Sequence, residues 1–223
     1  MSKTIELTAA DGHKLEAYVA EPAGKAKGAI IVVQEIFGVN PHIRSVTDAY
    51  AADGYLAIAP AFFDRLQRNF EAGYNPKDIE AGVAMIQKLK WDQVLLDTGA
   101  ALAEVKSAGK VGIVGYCWGG TVAWLAAAKL VGLSCSIPYY GGGLHGMIGE
   151  QPKVPVMCQF GELDQSPTLE QAKAIAAAHP SVIANFYAGA GHGFNCDERG
   201  SYNEEAAKLA RQRALEFLGR HIG

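Results

Sequence analysis

The chain has 223 residues, 49% of them hydrophobic, and a formal net charge of −3, which suits one packed domain and, with no Lys/Arg cluster, speaks against nucleic acid as the main partner. Met1-Ser-Lys-Thr-Ile-Glu-Leu7 lacks a signal-peptide core and no apolar run approaches about 18 residues, so a cytoplasmic protein without a membrane span is expected. The four cysteines (Cys117, Cys135, Cys158, Cys196) stand singly with no C-x-x-C pair, so the sequence predicts reduced thiols and no metal site.

In chain order, Thr4–Leu7 and Lys14–Val19 flank Asp11-Gly12, a hairpin signal. Ala29–Val33 is a continuous β-branched run, the pattern of a strand buried on both faces of a parallel sheet. It ends at Gln34-Glu35-Ile36-Phe37-Gly38. Asn40-Pro41 opens a helix to about Asp53, Gly54 stops it, and Tyr55–Ala59 is the next strand. Residues 61–75 are irregular and mix Phe62, Phe63, Arg65, Arg68, Phe70 and Tyr74; such a loop either covers a site or simply packs. Helical patterns follow over Pro76–Leu89 and Asp92–Ala108. Val111–Val114 then runs as a strand into Gly115-Tyr116-Cys117-Trp118-Gly119-Gly120, and a small-residue helix, Thr121–Ala128, runs out. Strands at Ser134–Tyr139 and Val154–Phe160, a helix from Ser166-Pro167 to Ala178, a strand at Val182–Tyr187 and an amphipathic helix over Glu204–Ile222 complete the chain. Strands alternating with helices predict an α/β fold: a mostly parallel central sheet with helices on both faces and an N-terminal antiparallel hairpin. Its sites belong at the carboxyl ends of the strands, where Glu35, Cys117, Asp164 and His192 all fall.

A nucleophile between glycines at a strand-to-helix turn is the nucleophile elbow, here carrying Cys117. The turn is tight, so its neighbours at minus two and plus two must be small, as Gly115 and Gly119 are. The elbow sets the sulfur at a helix N-terminus, which favours an anion there, and aims the Trp118 backbone N–H at whatever the sulfur attacks. A cysteine nucleophile needs a base, and the base an orienting acceptor. Cys117, Asp164 and His192 occur in the chain order nucleophile, acid, histidine. His192 lies in a glycine-rich loop after the last strand, a setting suited to a general base. His13, His42, His179 and His221 sit in a turn, at helix ends or near the terminus, and His145 is the weaker competitor.

Gln34-Glu35-Ile36-Phe37-Gly38, Gly115-Tyr116-Cys117-Trp118-Gly119-Gly120, Tyr139-Tyr140-Gly141, Gly161-Glu162-Leu163-Asp164 and Gly191-His192-Gly193-Phe194 together make the chain resemble, over nearly its whole length, the dienelactone hydrolases (carboxymethylenebutenolidases) of the α/β-hydrolase superfamily. The resemblance implies an α/β-hydrolase fold, Cys117 as nucleophile, His192 as base, Asp164 as its orienter, and an oxyanion hole of the Ile36 and Trp118 N–H groups. It further implies that Glu35 contacts the resting thiol and moves away when substrate binds. A lactone or ester would be hydrolysed through an acyl-enzyme, without metal or organic cofactor, by a monomer or small homo-oligomer. A general carboxylesterase or thioesterase would use the same residues; a binding protein would need no general base, and a redox sensor would need a resolving partner for Cys117. Phe37, Tyr74 and Phe194 suggest an apolar substrate pocket. The family's enzymes for dienelactone hold its carboxylate with arginines, one just past the catalytic histidine, whereas Phe194-Asn195-Cys196-Asp197-Glu198 has no cation before Arg199. Asp197 and Glu198 would repel an anion if turned inward, and Arg65 or Arg68 is the expected substitute.

Overall fold

Three apolar runs decide the centre of the molecule. In the computed structural model, which describes residues 1–223, β3 (Ala29–Val33), β4 (Leu56–Pro60) and β5 (Val111–Tyr116) lie almost wholly buried in the middle of an eight-stranded sheet. They are joined by β1 (Ser2–Thr8), β2 (Lys14–Ala20), β6 (Leu133–Tyr139), β7 (Met157–Gly161) and β8 (Ile183–Tyr187) in the order β1-β2-β4-β3-β5-β6-β7-β8. The first two strands form the antiparallel hairpin, β2 pairs antiparallel with β4, and all remaining neighbours are parallel. This is the α/β-hydrolase arrangement.

Helices cover both faces, which is why the central strands need no polar alternation. On one face lie α1 (Pro41–Ala52) and the C-terminal α6 (Glu204–His221), tied together where Arg211 pairs with Asp53 and lies 4.8 Å above the Tyr50 ring. The other face carries α3 (Trp91–Val105), α4 (Trp118–Lys129) and α5 (Leu169–Ala178); Trp124 of α4 packs with Phe160, Ala172 and Ile175. No helix is long and apolar enough to cross a membrane. Register places the site: Val33 is opposite Gly115, so Gln34-Glu35-Ile36 leaves the sheet beside Tyr116-Cys117. The turns after β7 and β8 open at the same edge.

Several boundaries differ from the sequence expectation for local reasons. Helix α2 (Pro76–Ile86) ends three residues before Leu89, because the N–H groups of Lys88 and Leu89 bond three residues back and tighten the last turn. The α3 pattern closes into a 3₁₀ turn at Lys106–Ala108. Helix α4 begins at Trp118, not Thr121, with Cys117 itself as its N-cap. Ser166-Pro167 does not start α5: the Ser166 N–H is committed to Asp164, and Thr168 with Gln171 forms the capping box two residues later. The aromatic residues of 61–75 pack, while 66–69 stay exposed. Phe62 and Phe63, in a 3₁₀ turn at Phe62–Arg65, are buried with ring centroids 5.7 and 6.0 Å from that of Trp118, and Phe70 lies edge-on against Phe63.

Candidate active site

The backbone at Cys117 has φ 55° and ψ −121°, a left-handed conformation that costs a non-glycine residue roughly 1–3 kcal/mol. The surrounding bonds hold it there: the Cys117 N–H donates to Tyr139 O (3.1 Å), and its carbonyl accepts from Gly120 (2.9 Å) and Gly142 (3.0 Å). A Cβ on Gly115 would overlap the Gly119 carbonyl, and one on Gly119 would overlap the carbonyls of Val33 and Gln34. The glycines are therefore a steric condition of the turn. Cys117 retains 9% of its surface, while Cys135, Cys158 and Cys196 have none, so one thiol of four can meet a ligand.

Asp164 leaves the end of β7, is buried, and accepts the Ser166 N–H at 2.7 Å. Both of its oxygens also face His192 Nδ1, at 3.0 and 3.1 Å. That fixes the imidazole by Nδ1, with Cys117 in the same cleft. Burial disfavours the imidazolium, but the charge of a Cys117 thiolate and the bond to Asp164 outweigh it, and His192 is pushed up to about 10. Tyr140, itself at φ 35°, presents its ring 5.2 Å from the imidazole and rests on Phe194 at 5.3 Å.

Two residues with unpaired backbone N–H groups border the same space. Ile36 lies outside regular structure and its N–H has no acceptor within the protein. Trp118 is the first residue of α4, whose opening N–H groups have no intrahelical partner. Cys117, His192, Asp164, Ile36 and Trp118 share one cleft of about 410 Å³ with Val83 and Ile86 of α2, and its lining is mainly apolar.

Glu35 is buried, one carboxylate oxygen bound to Arg199 Nη1 at 3.0 Å and the other without a partner. Arg199 reaches it across the rings of Phe37 and Tyr74, 5.8 and 5.9 Å from their centroids, and a Cβ on Gly193 would lie 2.5 Å from its Nη1. Burial works against the guanidinium charge, but Glu35 and then Cys117 more than offset it and hold Arg199 above its ordinary value.

The remaining expectations need correction. Arg65 does not reach the cleft; it is fixed between Asp97 (2.7 Å) and Asp11 (2.8 Å) because Asp97, fully buried, requires a partner. Arg68 donates to the Lys14 carbonyl. Phe37, Tyr74 and Phe194 are absent from the cleft wall: Phe37 stacks edge-on with Tyr74, whose hydroxyl accepts from Asn40, and Phe194 is core beneath Tyr140. Asp197 and Glu198 point outward, Asp197 to His42 Nδ1 at 3.2 Å, so the cation sought after the histidine is Arg199, turned inward. Sequence reasoning missed Arg199, whose role is set by its fold contact with Glu35, and it missed that α2 brings Val83 and Ile86 to the cleft. His42, Cys196 and Asp197 form a second group, with ligand atoms within 4.8 Å of one another. Its thiol is sealed and pushed up to about 12 by burial and then by Glu35, and Lys208 and Arg211 line the adjoining hollow, which disfavours a cation.

The dienelactone hydrolase family profile matches residues 15–222. A Synechocystis sp. protein provisionally named carboxymethylenebutenolidase is 35% identical over 92% of this chain and 91% of its own. The carboxymethylenebutenolidase of Pseudomonas putida is 32% identical over 98% and 96%. Among solved structures, a Klebsiella pneumoniae protein provisionally described as a dienelactone hydrolase superposes with a TM-score of 0.86 at 30% identity, covering 99% of this chain and 100% of its own.

Proposed function

The chain belongs to the dienelactone hydrolase family, hydrolases acting on ester bonds, and from that premise we propose that it hydrolyses carboxylic esters or lactones through a Cys117 acyl-enzyme. His192 takes the thiol proton and Cys117 attacks the carbonyl carbon. The developing oxyanion accepts hydrogen bonds from the Ile36 and Trp118 N–H groups, each such donor being worth roughly 2.7–4 kcal/mol in the transition state. As the carbon–oxygen bond breaks, His192 returns the proton to the leaving alcohol and a thioester remains. Water, deprotonated by His192, then attacks the thioester, the acid departs, and the thiolate is restored. Asp164 keeps the imidazole in the tautomer that presents Nε2 and stabilises its positive form. By the family resemblance Glu35 contacts the resting thiol and moves when substrate binds, and Arg199 is the group that holds it in place here.

The observation that carries this reading is the Asp164–His192 pair sharing one cleft with Cys117 and with Ile36 and Trp118, whose N–H groups have no acceptor in the protein. Its test is hydrolysis of a dienelactone and of an uncharged aryl ester by wild type and Cys117→Ala. Turnover of either substrate that collapses in the variant supports the reading. Turnover unchanged by the substitution removes it.

A further inference from the structure

Between α1 and α6 lies a second hollow, of about 190 Å³, that shares no lining residue with the catalytic cleft. Tyr116 and Tyr139, at the ends of β5 and β6, reach it with rings 4.8 Å apart. Tyr116 shares its hydroxyl with Tyr50 at 3.3 Å. Tyr139 is only 1% exposed, yet its hydroxyl has no partner in the protein and opens on the hollow. His42, also buried there, meets Asp197 through Nδ1 and has nothing bound to Nε2. Buried polar groups are almost always paired, so two orphans at one hollow mark a place that a polar ligand fills.

The charges there are arranged for an anion. Arg211 meets Asp53 through Nη2 and lies over the Tyr50 ring, which leaves its other guanidinium N–H groups without a carboxylate. Lys208 pairs with Glu204, but both side chains stand in solvent (74% and 63% exposed), and such a surface pair is worth little and exchanges readily. Asp197, the one carboxylate of the wall, is turned to His42. Val46, Ala49 and Ala207 supply an apolar side. The volume holds roughly six waters, or an acid of about four carbons.

We propose that this hollow binds a short-chain carboxylate, its carboxyl group held by Tyr139, Arg211 and Lys208 and its alkyl stem laid against Val46, Ala49 and Ala207. The site is separate from the cleft and stands whether or not Cys117 forms an acyl-enzyme.

Butyrate and 1-butanol test it, because they share the stem and differ in the charged end. In amide NMR titrations of the full chain at constant ionic strength, butyrate is expected to shift Asn195 and Ala207 saturably, with a Kd of about 1 mM or below, and 1-butanol is not. Tyr139→Phe removes only the unpaired hydroxyl and should weaken butyrate by about tenfold, the scale of one hydrogen bond to a charged group. Lys208→Gln, at an exposed position that leaves the core alone, should weaken it as well, and it decides alone if Tyr139→Phe does not fold. Butyrate binding left intact by either folded variant would overturn the proposal. So would an equal response to 1-butanol, the lack of any saturable shift, or shifts confined to Ile36 and Trp118 of the cleft.

Discussion

His192 carries its proton well above the ordinary imidazole range because the Cys117 thiolate and Asp164 overcome its burial. A raised value means that the stabilisation from this pair is present in full below the unfolded value, near 6.5, and is lost as pH rises through about 10. Side-chain NMR should find His192 still imidazolium at pH 8. In Cys117→Ala burial acts without the thiolate, so the titration should move down, and a midpoint left near 10 would contradict the pairing. Glu35 makes a second residue-scale case. Arg199→Gln leaves a buried carboxylate unpaired, which should lower unfolding stability by about 3–5 kcal/mol in urea titrations. Adding Glu35→Gln should recover much of that loss, and two additive losses would show that the residues act separately.

At the scale of elements, α2 is held against the Ile36 loop by Gly82, where a Cβ would overlap the Ile36 carbonyl. Gly82→Ala must therefore push the helix or the loop aside and misplace the Ile36 N–H. Ester kcat should fall by about 10-fold or more, up to the roughly 10²–10³-fold of one lost oxyanion donor, with a smaller change in melting temperature; unchanged kcat would show that Ile36 takes no part. The elbow was legible in the sequence because its requirement is local: a tight turn excludes side chains two residues either side of Cys117, and only glycine meets that. The start of α5 was not legible, because Asp164 captures the Ser166 N–H and a better cap follows at Thr168. Strand positions were readable from apolar runs, whereas the ends of α2 and α3 depended on how each last turn closes.

Across the whole molecule, side-chain partnerships between distant segments decided what sequence could not. Arg65 is the clearest example: a cation in an aromatic loop suggested a substrate contact, but its partners come from the hairpin turn and from α3. Arg65→Ala should destabilise the protein by about 3–5 kcal/mol by stranding Asp97, while kcat/KM of the remaining folded enzyme toward neutral esters stays as in wild type; lost activity at full stability would return Arg65 to the site. Arg199 is the converse, since only the folded chain brings it across Phe37 and Tyr74 to Glu35. The mostly parallel sheet, by contrast, follows from the alternation of strands and helices, and it gathers the turns after β3, β5, β7 and β8 at one edge. What most directly tests the chemistry assigned to that edge is acid-quenched mass spectrometry of enzyme turning over p-nitrophenyl hexanoate. The account predicts one hexanoyl group bound through a thioester and mapping to the peptide of Cys117, absent in Cys117→Ala. Turnover with no adduct at Cys117, or an adduct on another side chain, would contradict it.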